Sequence, residues 1–301
     1  MARLPAAAPL RLIVNPAAGG GRAARVLPAV EAALRGHGLA FTTHRTTSVE
    51  HARELAVAAH GAGDTPVTLS GDGVVGCVAG ALSALTGCER PLMGVLPGGR
   101  GNDFARMTGL PTDPVAACAV LVTGVPTAID LGVVGESPFI GIASLGFDSE
   151  ANAIANAAPS RLGGLVYAYG ALRALLSYRH ATFTVRLDEQ PARTFTGWSV
   201  AAANASTYGG GMVMAPDARL DDGLLDVVLS ARTSRAHFLR ILPRIFKGAH
   251  VEDPSVTVLR GHAVHVSADR PFTVYADGDP IAELPARISV LPGAVRVLLP
   301  A

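Results

Sequence analysis

The chain has 301 residues, enough for two domains and a sizeable core, and its 49% hydrophobic and 16% charged content excludes a disordered polymer. A formal net charge of +1 provides no broad basic field, so nucleic acid is not an expected partner. Cys77, Cys88 and Cys118 lack metal-ligand or C-x-x-C spacing and read as buried thiols of a reducing compartment.

The N-terminus runs almost directly into the strand-like "LRLIV" (10–14), which argues against a cleaved signal peptide. "NPAAGGG" and a helix from about Arg22 to Arg35 follow, with Val26, Val30 and Ala33 as its apolar stripe and Gly36 as its stop. Thr47 and Glu50 have capping-box spacing before a helix that runs to about His60. "PVTLS" (66–70) is the third strand and "VVGCVAGALSAL" its helix; "PLMGVLP" (91–97) is the fourth strand, and "NDFARM" opens a short helix. Asp113 and Pro114 supply an N-cap and first-turn pair for a helix to about Val122. This alternation predicts a doubly wound parallel α/β domain, with helices on both faces, over residues 8–135.

After about Ser137 the texture changes to short β-rich runs parted by Gly, Pro and Asp turns: "PFIGIAS", "ATFTVRL", "TFTGWSVAAAN", "LLDVVLS", "AVHVSA", "FTVYAD", "RISVL" and "AVRVLLP". Two helices are expected there, at about 161–178 and 234–246. A mainly antiparallel β-sandwich domain is therefore expected over 136–292, with the tail 293–301 packing back on the first domain and the active site in the cleft between the two. The longest apolar run, "GLVYAYGALRALLSY", is interrupted by Arg173 and is shorter than the roughly 20 residues of a membrane span. The expected location is the cytoplasm, with at most peripheral contact at the inner face of the membrane. A homodimer is compatible with the sequence.

Three glycine-bearing turns follow strands of the first domain: "NPAAGGGR" (15–22), "SGDGVVG" (70–76) and "PGGRGND" (97–103). Loops at the carboxyl ends of parallel strands line the ligand crevice, and glycines there let backbone N–H groups approach phosphate at a helix N-terminus. "SGDGVVG" matches G-x-G-x-x-G, but it follows the third of these strands rather than the first, and the strand after it ends in Pro97-Gly98-Gly99-Arg100 without an acid for a ribose. Asp72 would repel a bare pyrophosphate, whereas Mg²⁺ between carboxylate and phosphate reconciles them. Asp103 and Asp130 lie in or after strands of the same sheet, and each reads equally as a cap or turn residue. A Walker A loop and a protein-kinase ion pair are excluded, because the single lysine, Lys247, follows Phe246.

Taken in order, "NP..GGG", "SGDG", "G.LPGGRGNDFAR..GLP", "IDLG", "F...ASLGFD", "GGGM...P.A.LDDGLLDV" and "ADGD" resemble the diacylglycerol kinase and sphingosine kinase superfamily, in its soluble bacterial lipid-kinase branch. The resemblance implies ATP in the first domain, held by Asn15, Gly20, Ser70, Gly71, Gly73, Gly98, Arg100 and Asn102, with Asp72, Asp103 and Asp130 forming a Mg²⁺-linked acidic network. It also implies a structural Mg²⁺ site in "RLDDGLL", from the Asp222 side chain and the main-chain carbonyls of Arg219 and Leu224. Asp277 is then the catalytic carboxylate that takes the proton of a lipid hydroxyl, diacylglycerol or a related lipid, with Asp279 orienting it or a metal-bound water. On residues alone, "ADGDP" is also an ordinary hairpin turn.

Val74 stands where the family commonly has threonine, Cys77 where it has glutamate, and Arg100 where it has threonine. Arg100 either binds phosphate oxygens or is a solvated loop residue. The apolar helix near 164–178 either lines an acyl pocket, touches the membrane or is core. Two alternatives stay open: a catalytically weak nucleotide- or lipid-sensing protein of the same fold, and an NAD kinase, whose "GDG" loop is related but which carries a different loop at "LPGGRGNDFAR".

Overall fold

Uninterrupted apolar runs suit strands buried on both faces. A computed structural model of the chain describes residues 8–85, 90–158 and 166–301, with backbone alone at 166–168. In it a parallel sheet is formed by Leu10–Val14 (β1), Phe41–Arg45 (β2), Thr65–Ser70 (β3) and Leu92–Pro97 (β4), of which β1, β3 and β4 are the apolar runs. β1 lies between β2 and β3, with Leu10 opposite both Phe41 and Thr65, and β3 pairs with β4. The edge strand β2, "FTTHR", is implied by the strand count but not located by the sequence, because one polar edge strand has no continuous apolar signal.

Helices Ala18–Gly36 (α1), Val49–Gly61 (α2) and Asp72–Ser83 (α3) connect these strands. α1 buries Ala23, Leu27, Val30 and Leu34; of the expected stripe Val30 is central, while Val26 and Ala33 sit at its margin beside Leu27 and Leu34. Ser48, not Thr47, caps α2: its hydroxyl accepts from His51 N at 3.1 Å. Asp103–Met107 (α4), Pro114–Ala117 (α5), Val120–Thr123 (α6) and Val125–Val134 (β5) follow. Asp113 caps α5 as expected, accepting from Val115 N at 2.7 Å, but the helix foreseen to Val122 breaks into α5 and α6.

By contact density the chain divides into one unit of residues up to Leu131 with Pro292–Ala301, and a second of Gly132–Leu291. The second contains Ser137–Phe139 (β6), Ile142–Gly146 (β7), Phe147–Asn156 (α7), Val166–Ser177 (α8), Ala181–Leu187 (β8), Arg193–Ala203 (β9), Thr207–Tyr208 (β10) and Met212–Val213 (β11). It continues with Leu225–Ala231 (β12), Arg235–Ile241 (α9), Val256–Gly261 (β13), Ala263–Ala268 (β14), Thr273–Ala276 (β15), Asp279–Glu283 (β16) and the long strand Ala286–Leu299 (β17). Pairing within this unit is antiparallel, in the order β16-β15-β7-β9-β8-β14-β17, with β12 also joining β9 to β13. In the first unit the end of β17 pairs in parallel with β4, Arg296 opposite Leu92, and Leu298 joins that unit's core.

Alternation sets the faces of β8: Ala181, Phe183, Val185 and Leu187 point inward. The second core centres on Trp198, stacked on Phe238 at 4.2 Å and on Tyr178 at 5.5 Å, with Phe147 edge-on at 5.7 Å. Its indole N–H donates to Thr233 Oγ1 at 3.0 Å, so its polar handle is satisfied. α7 was not foreseen; it begins after Gly146 at φ 90, and its "SEANAIAN" has too few apolar residues for a clear 3.6 period. The helix expected over 234–246 is α9 continued by a 3₁₀ helix, Leu242–Lys247, because Pro243 lacks the N–H for an i→i−4 bond and its ring crowds that turn. Cys88 and the foreseen start of a helix at 161 lie outside the described residues. No described helix is long and apolar enough to cross a membrane.

Candidate active site

In the first unit the three glycine turns meet backbone to backbone. A Cβ on Gly19, itself at φ 61, would stand 2.6 Å from the Gly98 carbonyl, which joins the turn after β1 to the turn after β4. A Cβ on Gly99 would stand 2.6 Å from Gly71 Cα, which joins the turns after β3 and β4. Such approaches admit no side chain, so the glycines are a steric requirement of the cluster.

Polar contacts hold these turns. Asp72 opens α3, and its two carboxylate oxygens accept from Phe104 N at 3.0 Å and Asp103 N at 3.1 Å, capping α4 across the chain. Asp72 and Asp103 are thus brought together, and both helix N-termini are turned to the same few residues. Asn102, at φ 51 and buried, clamps one residue: its Oδ1 accepts from Gly99 N at 2.8 Å and its Nδ2 donates to Gly99 O at 3.2 Å. Asn15 Oδ1 accepts from Ala17 N at 3.1 Å, shaping the first turn. Ser70 is buried, and its carbonyl accepts from Gly98 N at 2.7 Å. Gly73, in the first turn of α3, faces open space.

The exposed Arg100 reaches the first turn, since a Cβ on Gly20 would stand 3.2 Å from its Nη2. Arg22, not singled out in the sequence, donates to Gly99 O at 3.4 Å, and its signal was only its place after the glycine triplet. Val74 and Val75 are buried along α3, so the residue replacing threonine packs inward. Cys118 is buried, and desolvation pushes its thiol up to about 11; Cys77 is half-buried. Asp130, on β5, accepts from Gly293 N at 2.7 Å and so fastens the C-terminal part of β17.

In the second unit Asp277 sits at φ 52 in the turn between β15 and β16. Its carboxylate accepts from Ile140 N at 2.9 Å, Gly141 N at 3.0 Å and Ile142 N at 3.2 Å. Three successive N–H groups thus converge on this one carboxylate. Asn204 fixes that turn, donating to Ile140 O at 2.9 Å while its own N–H bonds Gly141 O at 3.0 Å. Neither contact was legible beforehand, because each joins residues far apart in the chain. Asp279 starts β16; although the residue is exposed as a whole, desolvation of its carboxyl raises its pKa.

The segment Arg219, Asp222 and Leu224 closes on itself. Asp222 Oδ1 accepts from Leu224 N at 3.0 Å, its Oδ2 is paired with Arg260, and Arg219 is paired with Asp221 at 3.0 Å. Its oxygen donors have the right chemistry for Mg²⁺, but a cation bound by Asp222 would displace Arg260. Among the described residues no group of three or more His, Cys, Asp or Glu side chains is arranged to hold a metal ion.

A further carboxylate, Asp148, opens α7. Its Oδ2 is buried without a hydrogen-bond partner among the described residues, and desolvation lifts its pKa to about 6, opposed by a hydrogen bond with Ser199.

Comparison with known proteins agrees across nearly the whole chain. The diacylglycerol kinase catalytic domain matches residues 9–134, and the YegS C-terminal NAD kinase beta sandwich-like domain matches 141–299. A diacylglycerol kinase of Mycobacterium tuberculosis (strain H37Rv) is 38% identical over 295 residues, covering 96% of this chain and 94% of that one. One from Bacillus subtilis (strain 168) is 29% identical, covering 96% of each. The crystal structure of a diacylglycerol kinase from Bacillus anthracis str. Sterne has the same fold, with a TM-score of 0.72 at 19% identity over 98% of each chain. With the glycine cluster in one unit and the antiparallel sandwich in the other, this chain belongs to the diacylglycerol kinase family of lipid kinases, phosphotransferases that act on an alcohol group.

Proposed function

We propose that the chain transfers the γ-phosphoryl group of ATP, with Mg²⁺, to the hydroxyl of diacylglycerol or a closely related lipid. The observation that carries this is the backbone convergence of the three glycine turns, with Asp72 locked across the N-terminus of α4. Backbone N–H groups of the glycine turns beside the N-terminus of α3 form a cradle suited to phosphate. Asn15, Gly20, Ser70, Gly71, Gly73, Gly98 and Asn102 shape or line it, and Arg100 and Arg22 bring positive charge to its rim.

When bound, Mg²⁺ neutralises charge on the transferring phosphoryl group, and Asp72 and Asp103 are the hard oxygen donors that would hold it. Asp130 acts from a distance, by fastening β17. Asp277 accepts the hydroxyl proton as the acceptor oxygen bonds phosphorus and the bond to the leaving ADP breaks. The loose transition state asks little basicity of that carboxylate, so its placement is what matters. Its three N–H donors and the left-handed backbone do the placing, and Asp279 orients the turn. Asp222, with the carbonyls of Arg219 and Leu224, remains the proposed structural cation site.

Incubation with labelled ATP, Mg²⁺ and a panel of lipid alcohols tests this reading. Labelled phosphatidic acid from diacylglycerol is the expected product. ATP binding without turnover on any lipid would replace it by the sensing function, and phosphorylation of NAD by the NAD kinase alternative.

A further inference from the structure

The stretch from Ala231 to Val251 contains five basic residues, Arg232, Arg235, Arg240, Arg244 and Lys247, and no acidic one, in a chain whose net charge is +1. α9 and the 3₁₀ helix Leu242–Lys247 occupy it and divide it into two faces. Phe238, Ile241 and Ile245 face inward: Phe238 stacks on Trp198, and Ile245 joins the cluster of Ile142, Met214 and Val228. Leu239, Arg240, Pro243, Phe246 and Lys247 face outward, with Leu239 49% and Phe246 58% exposed. The change from α- to 3₁₀-geometry at Pro243 stacks residues three apart, which places Pro243 and Phe246 in one row.

Two of the basic residues are engaged with the protein. Arg235 donates to Tyr178 O at 3.3 Å, and Arg244 pairs with Glu252 at 2.8 Å. Among the described residues Arg240 and Lys247 have no ion-pair partner and flank the exposed Leu239 and Phe246. A large exposed aromatic rimmed by free cations is the surface chemistry of an interfacial helix, whose apolar side chains enter the headgroup boundary while its cations meet lipid phosphates. A second copy of the chain is a poor occupant: a two-fold contact would set this basic face against itself, and the segment offers no acid to compensate.

We infer that the outward face of 239–247 docks the protein on an anionic-lipid bilayer surface, with Phe246 and Leu239 inserted and Arg240 and Lys247 at the phosphates. The choice of a bilayer over another acidic partner rests on the lipid-kinase reading, since that substrate resides in a membrane.

Co-sedimentation of the full chain with vesicles tests it, without nucleotide, using phosphatidylcholine alone or with roughly one part in three phosphatidylglycerol. Preferential binding to the anionic vesicles, weakened by salt, is expected. Arg240→Gln with Lys247→Gln lowers that partition about fivefold per charge, about 25-fold together. Leu239→Ser with Phe246→Ser lowers it roughly tenfold, while Val57→Ser, an exposed apolar residue of α2, changes nothing.

All these positions are exposed, and unchanged thermal unfolding confirms that the variants fold. Equal binding to both vesicle types, or charge variants that bind like the unaltered protein, overturns the inference. So does sedimentation showing that Phe246→Ser abolishes self-association but leaves vesicle binding intact. Kinase activity on detergent-dispersed diacylglycerol is measured alongside. Activity without vesicle binding overturns the docking surface alone, and vesicle binding without activity on any lipid overturns the proposed reaction alone.

Discussion

The two units each hold a carboxylate with backbone N–H groups, but they reach that arrangement by different routes. Asp72 accepts from residues 31 and 32 positions later, at a helix N-terminus that a parallel βα repeat places at the end of its strand. Asp277 accepts from residues 135 to 137 positions earlier, on a turn that only antiparallel pairing brings near. In the first unit, loops at the carboxyl ends of neighbouring strands are neighbours by topology, and glycine lets them touch. In the second, sheet register does that work, and Asn204 and a left-handed residue finish it. The first carboxylate is therefore chiefly a fastener between loops, and the second a group presented by a fold.

The sharpest way to break this contrast is Asp277→Ala. Loss of a positioned general base lowers lipid phosphorylation by about 10²- to 10⁴-fold, measured as labelled phosphatidic acid, with ATP binding retained. Full activity in that variant would remove Asp277 from the chemistry.

Asp148 provides a pH test of the second unit. Its folded value of about 6 lies above the ordinary aspartate value of 3.8, so the folded state binds the extra proton between those values. Stability is then greatest below about pH 4 as far as this group is concerned, and falls as pH rises to about 6, by of the order of 3 kcal/mol. Asp148→Asn removes that loss, so thermal unfolding at pH 8 shifts upward relative to the unaltered chain while unfolding at pH 4 changes little. An unchanged difference between the two pH values would show that the carboxyl is solvated.

In the first unit, Gly99→Ala sets a Cβ against Gly71 Cα, a backbone contact that cannot swing aside, and costs about 1–3 kcal/mol. Gly73→Ala, facing open space, leaves stability within a few tenths of a kcal/mol or raises it. Denaturant midpoints of the two variants decide whether steric approach or mere chain freedom explains the glycines. Asp72→Ala without ligand has a modest effect, a loss of about 1 kcal/mol for the cap on α4, largely restored in Asp72→Asn. Equal stability of the alanine and asparagine variants would show that capping is not what Asp72 does in the unliganded protein.

Much of the first unit was legible in the sequence because its signals are local. A buried strand, a glycine turn and a helix recur within about 30 residues, and "GDG" and "GGRGND" carry their chemistry in consecutive positions. What failed there was fine placement: the cap at Ser48 rather than Thr47, the break between α5 and α6, and the polar strand β2. In the second unit most strands could be read from alternation and turn residues, but α7, β13 and the short β10, β11 and β16 could not.

By itself the sequence determined the two-part architecture, the three glycine-bearing turns after strands, the absence of a P-loop lysine and the identity of the acids. Those properties depend on residue type and short spacing. Only the tertiary structure decided that Asp72 caps α4, that Asn102 clamps Gly99, that Arg260 occupies Asp222 and that Asp277 rests on the 140–142 turn. Each of these is a contact whose partner is chosen by loop packing or strand register, and a linear spacing contains no term for either.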